Sequence, residues 1–295
     1  MRALGWSLRD TAKLLSSHRR LWIPFFVTFL VEAFFIAALW LAPQPPFSTL
    51  LAPPIRYFSG ERVLHYPWHL WYIYHSMKNT NMLAATLVGA YMTGVACIMV
   101  KQAHEGRPIS MREALLTKQV RYLRVVILWL ITWGLAKASG ELLTHVAPKS
   151  PTGFWIGVSG MVVLQSLLVY AIPSAVFEGV SWWRALVNSV KETMRHPVST
   201  LVITVICNAV IIAFGVAFSE MRLIALMRDS APELAFAFIG LRLVVWTIVD
   251  TVLTVGVSHL WLYHRDPQVA SSVAGAKAVR TRRGVGPVKD STVTG

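Results

Sequence analysis

The sequence predicts an all-α polytopic membrane protein with six transmembrane helices. Of its 295 residues, 55% are hydrophobic and 14% are charged, whereas about a quarter of the residues in soluble proteins are charged. The apolar residues form blocks of about 20, which is the length a helix needs to cross roughly 30 Å of hydrocarbon. These spans should be helices, because an open sheet edge would leave backbone groups unpaired in lipid.

Six spans are bounded by charged residues, prolines or aromatic residues. We place them at residues 21–41, 82–100, 125–143, 154–176, 198–218 and 234–263. The first follows a basic segment and superficially resembles a signal peptide, but its apolar part is too long and lacks a small-residue cleavage site. We therefore expect a retained span. The loop between the first two spans should be external and partly packed on the membrane surface.

The last 32 residues differ in composition from the rest of the chain. Residues 264–295 contain no aromatic residue and carry a net positive charge, so we expect a disordered basic cytoplasmic tail after a transmembrane domain of residues 1–263. Its basic cluster around Arg282 could touch anionic lipid or simply be solvated.

The distribution of Lys and Arg predicts the orientation. Of the 28 basic side chains, 20 fall on one side of the spans and six on the other. By the positive-inside rule we expect both termini to be cytoplasmic. Cys97 and Cys207 each lie inside an apolar block, so we expect no disulfide.

A short segment that begins with serine precedes each outward-going span. The three segments start at Ser7, Ser110 and Ser181. Ser110 with Glu113 forms a capping box, and Ser7 with Asp10 approximates one. The pattern predicts three units, each an amphipathic interfacial helix followed by a transmembrane hairpin. Chance similarity between common juxtamembrane helices is the alternative.

Several short motifs resemble those of a known family. They are Pro173 to Gly179, Ala185-Leu186, Ser189, Arg195-His196-Pro197, and, near the start, Ala12-Lys13 and Ser17 to Leu21. With them the chain resembles, over roughly residues 5–263, the YciC-like inner-membrane proteins and the membrane domain attached to some bacterial glycerophosphodiester phosphodiesterases. The resemblance implies a six-helix bacterial inner-membrane module of a kind that is sometimes fused to lipid-related enzymes. It does not imply hydrolase activity, because the phosphodiesterase is a separate soluble barrel.

Ionisable residues inside spans are the candidate binding residues. Each costs about 2.5–3.5 kcal/mol to insert, so such residues are rare without a role. The five are Glu32, Lys137, Glu141, Arg242 and Asp250. At 1.5 Å per residue, Glu32, Asp250 and Lys137 lie about 16, 20 and 22 Å along their helices from the cytoplasmic side and could meet at one level.

Two interpretations of these charges remain open. In the structural one, Lys137 pairs with Glu32, Asp250 or Glu141 and positions the helices. In the functional one, Lys137 or Arg242 holds a lipid phosphate or another anion while Glu32 or Asp250 exchanges a proton.

A stripe of small residues, Thr86, Ala90 and Gly94, allows close helix approach in the second span. It could pack within the monomer, which we favour, or form a homodimer. His65 and His69 have metal-ligand spacing for a helix, but Pro67 between them disfavours one. The sequence contains no nucleophile elbow, phosphate loop or zinc helix. We therefore expect no catalytic residue, no metal site, no cofactor and no nucleic-acid partner.

These patterns predict a non-enzymatic integral membrane protein. The leading hypothesis is an accessory or scaffold module in envelope or lipid homeostasis, with anionic membrane lipids and a membrane-protein partner or a second copy as partners. The alternative is a small transporter or lipid-handling permease that uses Glu32, Lys137 and Asp250.

Overall fold

The chain folds into helices throughout the part that the structure describes. The computed structural model describes residues 2–65, 68, 72–73, 81–146, 151–217 and 234–265. The α-helices are α1 Arg2–Ser17, α2 Ile23–Leu41, α3 Phe47–Ser59, α4 Ala90–His104, α5 Met111–Leu116, α6 Tyr122–Val146, α7 Pro151–Leu168, α8 Ala171–Glu178, α9 Trp182–Arg195, α10 Pro197–Ala217 and α11 Leu234–Arg265. A π-helical turn, Ala85–Gly89, leads into α4, and short 3-10 helices occupy Arg19–Trp22 and Glu61–Leu64.

Six helical segments are long and apolar enough to cross a membrane. They are Arg19–Leu41, Asn81–His104, Tyr122–Leu143, Thr152–Glu178, Pro197–Gly215 and Ala237–Arg265. Their number and order confirm the prediction of an all-α polytopic membrane protein. The last helix continues past the predicted boundary through His264 and Arg265, because both side chains pack on the bundle. The remainder of the predicted tail lies outside the described residues.

The last span is the centre of the bundle. Helix α11 packs against α1, α2, α4 and α10, while α6 and α7 form a closely packed hairpin beside them. We call the end at which Arg19, Lys101 and Arg265 lie the basic end. Much of the main buried cluster lies toward this end, around Leu21, Val100 and the neighbouring apolar residues of α4.

Each of the three serine segments coincides with a helix. Glu113 donates its backbone N–H to the Ser110 hydroxyl at 3.3 Å, which confirms the serine half of the capping box. The other half is wrong, because the backbone N–H of Ser110 donates to Oε1 of Gln102 at 3.0 Å and not to Glu113. The prediction for Ser7 is wrong, because α1 already begins at Arg2 and Ser7 lies inside it. Ser181 is the N-cap residue of α9, although its side chain makes no capping hydrogen bond.

The small-residue stripe packs inside the monomer. Ala90 is fully buried, and a Cβ atom added to Gly94 would lie 2.8 Å from Cγ1 of Val120. Gly94 therefore lets the segment that leads into α6 approach α4 closely, as the favoured interpretation predicts.

The loop after the first span carries a helix of its own. Helix α3 leaves Leu50, Tyr57 and Phe58 largely exposed, as expected for a segment packed on a membrane surface. Of the two histidines with metal-ligand spacing, His65 has its Nε2 atom 3.9 Å from Oε1 of Glu61, and His69 lies outside the described residues.

Candidate functional site

Two of the predicted intramembrane charges come together. Glu32 on α2 is buried, and α2 packs directly against α11, which carries Asp250. The two carboxylates are near enough for their charges to repel each other. No Lys, Arg or His among the described residues forms an ion pair with either acid. The structure therefore contains a pair of like charges at the α2–α11 contact.

Asp250 is exposed, although its neighbours along α11 are buried. It is surrounded by the neighbouring helices and lies near Cys207 of α10, yet its side chain remains exposed. Val249 and Thr251, the residues on either side of it, are buried. Asp250 is thus an exposed residue of α11 near Cys207, whereas Glu32 is enclosed.

Lys137 does not join the two acids. Its Nζ atom lies 3.6 Å from Oε1 of Glu141, one turn along the same helix, and 5.2 Å from the centre of the Trp133 ring. Helix α6 packs mainly against α7, α8 and α4, whereas Glu32 and Asp250 lie at the α2–α11 contact. The expectation that Glu32, Lys137 and Asp250 meet is wrong, and the pairing of Lys137 with Glu141 is the predicted alternative that the structure contains.

Arg242 is also separate from the acids. Its guanidinium lies 5.0 Å from the centre of the Trp246 ring, one turn further along α11. This is a cation–π contact of the kind that holds an Arg side chain near a membrane interface. The five predicted residues therefore form one acidic pair, one ion pair and one cation–π pair.

A break in the fourth span creates a second polar region. Helix α7 ends at Leu168 and α8 begins at Ala171. Ser189 of α9 bridges this break: its hydroxyl accepts from the backbone N–H of Tyr170 at 3.1 Å and donates to the carbonyl of Leu167 at 2.8 Å. Thr193 donates to the carbonyl of Ser166 at 2.9 Å. Helix α9 thus satisfies the backbone groups that the break releases.

The end of α8 is fixed by a network centred on Glu178. This carboxylate accepts hydrogen bonds from the Asn188 amide at 2.7 Å and from the Ser174 hydroxyl at 3.1 Å. It also forms an ion pair with Arg265, whose guanidinium lies 4.1 Å from the centre of the Trp261 ring. The end of α11 is thereby attached to α8 and α9.

Next to this network lie a buried carboxylate and two stacked imidazoles. The Glu192 side chain is 3% exposed, and its Oε1 atom lies 3.8 Å from His196 Nε2 and 3.8 Å from His264 Nδ1. The two rings stack with their centres 3.5 Å apart. The Nδ1 atom of His264 is buried without a hydrogen-bond partner in the described part of the chain.

Sequence reasoning missed this cluster. Glu192 and His196 are four residues apart at the end of α9, a spacing that places two side chains on one helical face and could have been noticed. His264 is far from both residues in the sequence, and the prediction placed it in the tail and not in the last helix. Of the motifs that carry the family resemblance, Glu178, Ser189 and His196 help to build this region.

Comparisons with known proteins add no relative. No family model, no curated protein and no solved structure matches the chain. The resemblance to YciC-like proteins stays a prediction that rests on short motifs.

Proposed function

We propose that this multi-pass membrane protein is a small proton-coupled permease for anionic or lipid-like substrates, with Glu32 and Asp250 as its shared proton site. The single observation that carries the proposal is that two intramembrane carboxylates lie on spans packed against each other, without a basic partner among the described residues. A structural role for intramembrane charges would favour pairing of opposite charges, as Lys137 and Glu141 do.

The chemistry of the pair supports proton exchange. Two carboxylates that repel each other in a low-dielectric interior are more stable when they hold one proton between them. The side chain of Asp250 is exposed, so the shared proton has a route to a substrate or to water, while enclosed Glu32 keeps the pair in place. A change in the charge of this pair would alter how α2 packs on α11.

A row of polar side chains runs from the acids toward the basic end. Asn208 bonds to the carbonyl of Thr204 at 2.8 Å, Thr204 to that of Thr200 at 2.9 Å, and Thr200 to that of His196 at 2.9 Å. All three side chains are buried on α10, the helix whose Cys207 neighbours Asp250. The row offers polar groups along one helix between the two regions. The broken fourth span supports the same proposal, since discontinuous helices are typical of transporter sites.

Reconstituted vesicles test the permease. Purified protein is inserted into liposomes that contain a fluorescent phosphatidylglycerol, and the transfer of the probe between leaflets is followed with and without an imposed pH gradient. We expect the gradient to accelerate transfer, and we expect Glu32→Gln and Asp250→Asn each to abolish that acceleration at unchanged abundance. Lys137→Gln, which removes a charge outside the acidic pair, is the matched control and should retain it.

Two results would overturn the proposal. One is that the wild-type protein transfers no phosphatidylglycerol faster than empty liposomes under either condition. The other is that Glu32→Gln and Asp250→Asn both keep the full response to the gradient.

The accessory or scaffold role expected from the sequence remains the alternative. It is non-enzymatic like the permease, and it shares the proposed setting: a bacterial inner membrane with anionic lipids around the basic end and both termini in the cytoplasm. Co-purification from native membranes, with mass spectrometry of bound lipids and proteins, separates the two. A stable protein partner at constant stoichiometry would favour the scaffold, and retained lipid without a partner would favour the permease.

A further inference from the structure

We propose that Glu192, His196 and His264 form a binding site for a divalent transition-metal ion, with zinc as the best match. The site lies at the basic end, where the junction of α9 and α10 meets the last turn of α11. It is distinct from the acidic pair and does not depend on the permease proposal. The three residues offer one carboxylate oxygen and two imidazole nitrogens, a donor set that suits zinc and related first-row ions.

The distances fit a shared ion better than direct bonds. One ligand atom from each residue lies within 4.8 Å of the other two. Both separations from Glu192 Oε1 are 3.8 Å, too long for hydrogen bonds. Zinc binds these atoms at about 2.0–2.2 Å in a tetrahedral arrangement, so two ligands of one ion lie about 3.3–3.6 Å apart. To bind one ion, the two nitrogens would move toward the carboxylate by a few tenths of an ångström. One ring would also turn out of the stack, so that its in-plane lone pair points at the metal.

Burial supplies the second argument. Glu192 is a nearly fully buried carboxylate, and the Nδ1 atom of His264 is buried without a hydrogen-bond partner among the described residues. Buried polar atoms usually have partners, because removing them from water without one costs about 1–3 kcal/mol. A bound cation would satisfy both the carboxylate and the orphaned nitrogen. His196 is 38% exposed, which leaves an entry path and room for a water ligand.

The surroundings hold the three ligands and limit competing charge. Thr200 donates its hydroxyl hydrogen to the carbonyl of His196, and the backbone N–H of His196 bonds to the carbonyl of Glu192. The neighbouring Arg265 is paired with Glu178, so its charge is already neutralised. Arg195 lies 3.8 Å from the other oxygen of Glu192, but its side chain is largely exposed and can turn toward solvent.

Metal titration of the full chain tests the site. The protein is purified in detergent with a histidine-free tag, stripped with chelator and titrated with Zn²⁺, and bound metal is counted by mass spectrometry after desalting. We expect one zinc per chain and a rise in the melting temperature, because an ion that binds only the folded state stabilises it. Glu192→Gln, His196→Gln and His264→Gln should each weaken binding at least about tenfold.

Two histidine variants serve as controls. His18→Gln removes an exposed histidine at the same end, and His104→Gln removes a partner of His259, whose ring centre lies 6.0 Å away. Both should bind zinc like the wild type. If His264→Gln does not fold, His196→Gln decides, because its side chain is partly exposed. The proposal is overturned if no zinc is retained, if His196→Gln and Glu192→Gln bind normally, or if a control variant loses the metal.

Discussion

Ser189 donates its hydroxyl hydrogen to the carbonyl of Leu167 across the break between α7 and α8. The same oxygen accepts from the backbone N–H of Tyr170, so one side chain of α9 serves both sides of the interruption. Helix α9 was predicted as an amphipathic helix in the headgroup layer, and Trp182 and Trp183 are indeed exposed on it. The buried face of α9 also supplies side chains that hydrogen-bond to the backbone at the break in the fourth span.

Replacing Ser189 with alanine should destabilise the bundle. The change leaves a buried carbonyl and a buried N–H without their partner, and such losses cost about 1–3 kcal/mol each. We expect a lower melting temperature in detergent, measured by size-exclusion chromatography after heating. Ser16→Ala is the matched control, because that hydroxyl is exposed and donates to the carbonyl of Lys13 in its own helix. Equal melting temperatures for the two variants would show that α9 does not support the break.

Replacing Gly94 with alanine should also destabilise the protein. The new Cβ would lie 2.8 Å from Cγ1 of Val120, closer than real Cβ atoms approach, and the β-branched side chain has little freedom to move. Overpacking of this kind costs about 1–3 kcal/mol. Gly134→Ala provides the comparison, since nothing lies within 4 Å of its added Cβ, and it should be neutral or slightly stabilising. Equal melting temperatures for Gly94→Ala and Gly134→Ala would contradict the close packing of Val120 on Gly94.

Substitutions of two intramembrane charges in the same pair should have coupled effects on stability, and substitutions in different pairs should have independent effects. Glu32→Gln and Asp250→Asn should be non-additive in melting temperature, because either change removes the same repulsion. The effects of Lys137→Gln and Asp250→Asn on the free energy of unfolding should add to within about 0.5 kcal/mol, because the two residues share no partner. A strong coupling between Lys137 and Asp250 would instead restore the structural interpretation in which these two charges form a pair.

The orientation can be checked with reporter fusions. Reporters after Gly295 and after Lys149 should give cytoplasmic and external signals respectively, because the basic residues favour the cytoplasmic side. A fusion after Gly106, in the turn that follows α4, should report the cytoplasm and serves as an internal control. The reverse pattern would place the histidine cluster outside the cell membrane and would require a different source of metal.

The sequence predicted well those features that depend on the solvent around each helix. Blocks of apolar residues gave six spans within a few residues of their observed ends, and the Ser110 cap was found from its local spacing. Predictions that depended on which helices pack against each other were less accurate. Depth along a helix placed Lys137 at the level of Glu32 and Asp250, but it could not show that α6 packs away from α2 and α11.

By itself, the sequence determined that this chain is an all-α membrane protein with six spans, because hydrocarbon selects for length and apolarity along each segment separately. Only the tertiary structure decided which polar residues meet. Contacts between helices that are far apart in the chain bring Glu32 near Asp250 and His264 near Glu192. Such contacts depend on the rotation and order of the helices, which are set by packing at positions such as Gly94 and by hydrogen bonds such as that of Ser189.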